Sequence, residues 1–455
     1  MKAYLNFRNY ILIGTFLLAG LLFTSCDTEK VILPTEDIDK ETLAINEWIL
    51  DYMDLAYFWN QELPNIDTKL EQDSEKYFEK LLKKPDNKWS FITDDAKALF
   101  NYFDGIIKSM GYSIQLYYLE EGSDQVISIV EYVYPNSPAS IAGLERGDIF
   151  TRINGTTITD KNYQNLLNLD EMSITLASLT NEGIIEQPST LNLIAIELNT
   201  NPVIVKSILD AENIKIGYLA YTSFIEKYDS TLIQAFSDFK QAGVTELVLD
   251  LRYNGGGSVT SAQLLAGLIA PTSAVGEVFI SEVWNKNLTK YNEKLKIKQH
   301  NENLNLSRVY ILTTEGTASA SEMVIYGLEP HMEVIQIGDE TYGKYYGSIT
   351  ITADERKKHN WAIQPIVMRA ENKTNSINYS SGLSPNYRMV DNVYNAQLGD
   401  PEEIFLAAAI SHITKGSFPT PSTLKSKRNR NTVKRFKEWI EPHRATMIVK
   451  KREVE

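Results

Sequence analysis

The sequence predicts a multidomain α/β protein: an N-terminal helical segment, then a β-rich domain, then an α/β core with a βαβ-type sheet. Three observations predict it. The chain has 455 residues, 43% hydrophobic and 23% charged, which supplies apolar mass for two or three globular domains. Apolar residues recur at three- and four-residue steps as far as Phe103, and from Gly111 they alternate. From Ile214 onward, strand-like and helix-like runs take turns, an order that demands crossover connections.

Residues 1–25 read as a secretory signal. Lys2 and Arg8 form a positive start, Tyr10 to Phe23 an apolar stretch too short to span a membrane comfortably, and Thr24-Ser25 a small-residue cleavage site. Cys26 follows directly and resembles the lipobox cysteine of bacterial lipoproteins, which is lipidated and becomes the new N-terminus. Phe23 departs from that pattern, and a plain signal peptide with an incidental cysteine is the alternative. Residues 26–42 then form a polar tether. This reading hangs the mature protein from a lipid anchor in the cell envelope.

Residues 43–108 read as helical. Ile45, Trp48, Ile49, Tyr52, Met53 and Ala56 share one face, and Tyr77, Phe78, Leu81 and Leu82 begin a second, closed by Lys83, Lys84 and Pro85. A third helix is expected from Asp94 to Ile107. Together these helices read as a small cap, whose Trp and Tyr stripe reads as packing, not as a ligand box.

Residues 109–200 follow a strand pattern in "YSIQLYYLE" and "VISIVEYVY". In "PNSPASIAGLERGDIFTRINGTTI", Pro138 starts a short helix, Gly143 ends it, Gly147-Asp148 turns the chain, and Asn154-Gly155 is a hairpin signal. This stretch resembles the PDZ domain of bacterial envelope proteases. The resemblance implies a peptide held by strand addition, with its carboxylate on backbone amides at Gly111, Tyr112, Ser113 and Ile114.

Residues 201–418 make the core. "KIGYLAYTSF", "ELVLDLR", Ser307 to Thr313 and Val334 to Gly338 read as strands, with helices over Ser230 to Ala242 and Ser321 to Leu328. Residues 277–306, rich in Asn and Lys, read as an insertion. Residues 419–455 form a tail with 11 of the 45 lysines and arginines, either solvated or touching anionic lipid.

Bulk chemistry narrows the function. A net charge of −14 argues against nucleic acid as a partner. One cysteine allows no intrachain disulfide, and five scattered histidines show no ligand spacing, so neither a metal nor another cofactor is expected.

Three segments carry chemistry. "LDLRYNGGG" runs a buried strand into three glycines, a turn whose amides can approach an anion closely. A phosphate loop would need a GK[ST] ending, which is absent; an oxyanion hole is the other reading. "TEGTASASEMVIYG" offers two candidate nucleophiles, Ser319 and Ser321, at the start of a helix, and a serine needs a base. "GDETYGKYYGS" offers Lys344 among Tyr342, Tyr345 and Tyr346, and a lysine kept neutral by burial can serve. Taken alone, Lys344 is an ordinary surface lysine. A Ser–His pair using His331 has no carboxylate partner in view.

Together the segments resemble the C-terminal processing (tail-specific) peptidases, from about residue 43 to 415. The matches are D-L-R-x-N-x-G-G at Asp250 to Gly257, T-A-S-A-S-E at Thr317 to Glu322, and T-Y-G-K at Thr341 to Lys344, with a later Gly382-Leu383-Ser384-Pro385 turn. The resemblance implies a Ser–Lys serine endopeptidase with Ser319 as nucleophile and Lys344 as base, Ser321 pointing into the helix start. It assigns oxyanion donors to Ala320 and Gly257, with Gly256 second, and a supporting acid to Glu322. Ser348 stands where the family often has a lysine-supporting glutamine. Protein or peptide substrates follow, and a homo-oligomer stays open. The rival from another class is a catalytically inactive ligand-binding lipoprotein on the same fold.

Overall fold

The computed structural model describes residues 38–420 except 85, 121, 181–182, 354–358, 375–378, 392 and 395, together with 435–436 and 445–449. Residues 1–37, including Cys26 and the signal segment, lie outside the described residues. No described helix is long and apolar enough to cross a membrane.

The N-terminal part holds α1 (Lys40–Ala56), α2 (Ser74–Leu81) and α3 (Ala96–Phe103). Asp39 caps α1 by accepting from the Glu41 and Thr42 amides. The third helix is shorter than its pattern suggested. Gly105, at φ +71°, ends that run, and Ile106–Ser109 is instead a strand paired with Ile196–Asn199. The helices are no separate cap. Trp48, Met53, Tyr57, Tyr77 and Phe78 are buried in the same apolar cluster as the α/β core.

The PDZ-like domain is a sheet in the order β1 (Tyr112–Tyr118), β2 (Val126–Val133), β3 (Ile149–Ile153), β4 (Glu171–Thr180) and β5 (Gly183–Ile194). Asn154 and Gly155 both adopt positive φ, as the hairpin signal required. A short helix, Tyr163–Leu167, lies before β4.

Two six-stranded sheets make the core. The first runs β6 (Val203–Ala211), β7 (Ile214–Tyr221), β8 (Glu246–Asp250), β12 (Arg308–Thr313), β13 (Glu333–Gly338) and β16 (Tyr387–Arg388), parallel except for β6. Helices α4 (Asp229–Ala242), α5 (Val259–Ile269) and α6 (Ala320–Leu328) contribute to the main cluster, and α7 (Ile404–Lys415) packs in a second. The second sheet runs β9 (Gly256–Ser258), β17 (Thr446–Ile448), β14 (Tyr346–Ser348), β15 (Ile366–Glu371), β10 (Val278–Trp284) and β11 (Glu293–Lys296).

Two expectations are corrected here. Residues 277–306 are no insertion: β10 and β11 form a hairpin on β15, with Phe279, Ile280 and Trp284 buried. The exposed polar residues concentrate on β11, where Glu293, Lys294 and Lys296 face solvent, while Glu282 of β10 is buried. Nor is the basic tail wholly solvated, because Thr446–Ile448 is an inner strand of the second sheet.

Candidate active site

The glycine turn is held from below by paired charges. Arg252, fully buried, donates to Asp250 at 2.6 Å, to Glu403 at 2.9 Å and to Asp391 at 3.0 Å. Arg146, from the PDZ-like domain, joins the same Asp391 at 3.0 Å. Buried charges persist only when paired in this way. Asn254 ties the turn to the serine segment: its carbonyl accepts from the Ala318 amide at 3.0 Å and from the Ser321 hydroxyl at 2.9 Å. Its side-chain oxygen accepts the Gly256 amide at 2.9 Å. The hydroxyl of Ser321 is therefore engaged on the backbone, at the start of α6.

Ser319 stands immediately before α6 with φ +64° and ψ −110°. A non-glycine residue there costs about 1–3 kcal/mol and persists only where its surroundings over-determine it. The strained turn resembles a nucleophile elbow, which lifts a serine hydroxyl out at a strand-to-helix junction. Ser319 is buried, and its Oγ has no hydrogen-bond partner. Gly256 closes against it: at φ +109°, an added Cβ would stand 2.9 Å from both the Ala320 nitrogen and the Ser319 Cβ. Only glycine permits that approach.

Glu322 joins serine to lysine. One of its oxygens accepts from the Ser319 amide at 2.7 Å and the Lys344 amide at 2.9 Å. The other accepts from the Thr341 hydroxyl at 2.5 Å and the Gly343 amide at 2.7 Å. Burial pushes this carboxyl up to about 7, against the pull of its four donors.

Lys344 is fully buried, and burial lowers its pKa to about 7, opposed by the charges of Asp86 and Glu322. Two residues on, the Tyr346 ring packs 4.9 Å from Trp59 and 5.3 Å from Trp89. The lysine Nζ donates to the Ala445 carbonyl at 2.6 Å. A buried amine that is half-neutral near pH 7 can take a proton from a hydroxyl, and helix-start amides can hold an oxyanion.

Other expected residues fall as follows. Ser348 accepts from Gln364 at 3.0 Å and donates to the Met447 carbonyl at 3.4 Å, and its hydroxyl has no bond to Lys344 among those observed. Gly111 precedes β1 with φ +87°, the Tyr112 hydroxyl reaches Met172, and Ser113 donates to Glu131 at 2.8 Å. Ile114 packs on the domain core. The His331 Nε2 lies 2.8 Å from the Val278 carbonyl, which occupies the nitrogen a Ser–His pair would use. Among the described residues, no group of three or more His, Cys, Asp or Glu is placed to hold a metal.

Sequence reasoning missed Asp86 and Ala445. Burial raises the Asp86 carboxyl to about 6, and it accepts from the Ser90 hydroxyl at 2.7 Å. Its "KPDNKWS" context reads as an ordinary turn.

Residues 215–389 match peptidase family S41, residues 44–91 the peptidase S41 N-terminal domain, and residues 129–172 a PDZ domain. The chain carries the domains of peptidase family S41. A crystal structure from Bacteroides fragilis NCTC 9343, assigned to the S41 proteases, is 29% identical, with a TM-score of 0.71 over 81% of this chain and 97% of that one. A carboxy-terminal-processing protease from Bartonella bacilliformis is 26% identical over 62% of this chain and 68% of its own. A chloroplastic C-terminal processing peptidase from Tetradesmus obliquus is 25% identical over 46% of each. The chain thus spans less than half of that relative. The S41 match takes in Asp250 to Gly257, Ser319, Glu322 and Lys344, and ends at Met389, before the tail strand.

Proposed function

We propose that this protein is a serine endopeptidase that cleaves peptides or proteins near their C-termini through an acyl-enzyme. The observation that carries the reading is the single Glu322 oxygen bound to the backbones of Ser319 and Lys344. It supports a fixed pairing of an unpartnered buried hydroxyl with a buried, half-neutral amine.

In this reading, Ser319 Oγ attacks the scissile carbonyl carbon and its proton passes to neutral Lys344 Nζ. The amides of Ala320 and Gly257 receive the oxyanion. Collapse breaks the C–N bond, and the leaving amine takes the proton back from Lys344. Water then attacks the acyl-enzyme, giving a proton to Lys344, which returns it to Ser319 as the acid product leaves.

The same proposal places the protein in the cell envelope, anchored by lipid on Cys26, with protein or peptide substrates. A fluorophosphonate probe tests the chemistry. Labelling that disappears in Ser319→Ala supports the enzyme; no labelling of wild type after displacement of residues 445–449 favours the inactive ligand-binding module.

A further inference from the structure

Residues 445–449 lie in the cleft between β9 and β14. On one side Gly256, Gly257 and Ser258 pair in parallel with Thr446, Met447 and Ile448; on the other, Ser348 pairs with Ile448. Thr446 donates to the Gly255 carbonyl at 3.0 Å, and Val449 to the Ser348 carbonyl at 3.0 Å. In this parallel register the Thr446 carbonyl faces the Gly257 amide, which the proposed mechanism assigns to the oxyanion. The same carbonyl oxygen lies 2.2 Å from where a Cβ on Gly256 would stand, a point 2.9 Å from Ala320 N and Ser319 Cβ. Lys344 meanwhile donates to Ala445, and Ser319 Oγ is unpartnered. The segment therefore lies against both halves of the catalytic apparatus.

A second contact lies upstream. The Phe436 amide donates to the Leu116 carbonyl at 3.0 Å, and Arg435 bridges antiparallel to Tyr117 on β1. The Phe436 ring packs 5.2 Å from Tyr118 and 5.0 Å from Tyr163, between β1 and the short helix. Strand addition to an exposed sheet edge, with a side chain in a pocket, is a general mode of peptide capture.

We infer that the cleft between β9 and β14 is a binding site for an extended apolar peptide, and that residues 445–449 of this same chain are its resident ligand, tethered through Phe436 on the PDZ-like domain. The inference rests on the peptidase reading of this site. The ligand class follows from the occupant: Ala445, Met447 and Val449 are all at most 2% exposed, so the cleft takes small and apolar residues in extended form. While they are bound, substrate must displace them.

Two forms of the full chain test this. In one, Met447→Asp and Val449→Asp put charges where the cleft is apolar. In the other, a site-specific protease sequence inserted within residues 421–430 is cut after folding, and the fragment is removed by gel filtration. Each folded, released form should hydrolyse a quenched-fluorescence peptide about tenfold faster or more than the intact protein, because the competent fraction rises. The synthetic peptide ATMIVKK, residues 445–451, should suppress the gain. Released protein that stays folded but labels and hydrolyses at the intact rate overturns the inference, as does a peptide that fails to inhibit. Loss of cooperative melting on release also overturns it, making residues 445–449 a core strand. Absence of labelling and hydrolysis in every form, with melting intact, sinks the peptidase reading and this inference with it.

Discussion

Lys344 and Ala445 are joined by a 2.6 Å hydrogen bond from Nζ to the carbonyl oxygen, across 101 residues of sequence. The proposed base is thereby engaged by the chain's own tail.

Activity should rise with pH through about 7, where burial places Lys344. Below that value the group is an ammonium and cannot accept a proton; above it, the amine is neutral and can. The acid limb of kcat/KM should therefore fall as pH drops from 8 to 6. Lys344→Arg should lose about 10²–10⁴-fold, because guanidinium stays protonated. An active arginine variant would rule out lysine as base.

Asp86→Asn should move that acid limb to lower pH. The Asp86 charge favours the ammonium form, so removing it lowers the Lys344 pKa further. A profile unmoved, or moved upward, would show that the two groups do not interact as described.

Ser319→Ala should abolish hydrolysis, a loss on the order of 10⁶-fold, with the melting temperature at or above wild type. Ser321→Ala should stay active and lose about 1 kcal/mol, since its hydroxyl bonds the Asn254 carbonyl. The reverse pattern in a peptide assay would exchange the two roles.

Gly256→Ala should be inactive even after the tail is released. Release removes the contact with Thr446, but the new Cβ still presses on Ala320 and Ser319, and φ of +109° remains unfavourable. Overpacking of this kind costs about 1–3 kcal/mol, readable by thermal melting beside probe labelling. Full labelling would show that the oxyanion side is looser than the geometry implies.

Cys26→Ser should shift the protein from membranes to the soluble envelope fraction, because a lipid is the anchor proposed. Fractionation that leaves the variant in the membrane pellet would assign the attachment to another segment.

Much of the fold was legible because local signals agreed. The change of period at Gly111 marked the β-rich domain, and the Asn154-Gly155 pair specified its turn through positive φ. Residues 277–306 carry a loop-like composition because β11 is largely exposed glutamate and lysine, and the burial of β10 against β15 is nonlocal. Helix α3 was overextended because Ile106 and Ile107 continue an apolar run past the glycine that stops it.

By itself the sequence determined which chemistry was present: a glycine turn, a serine before a helix and a lysine after a glycine, each a short pattern with a local physical meaning. Tertiary structure alone decided how these meet. Glu322 reaches Lys344 across 22 residues, Asp86 acts on that lysine from the segment between α2 and α3, and Thr446 comes to lie beside Gly256. Burial supplies the low pKa of Lys344, and no stretch of its neighbours in sequence encodes that burial. Desolvation is a property of everything packed around a group, so it exists only once the chain has folded.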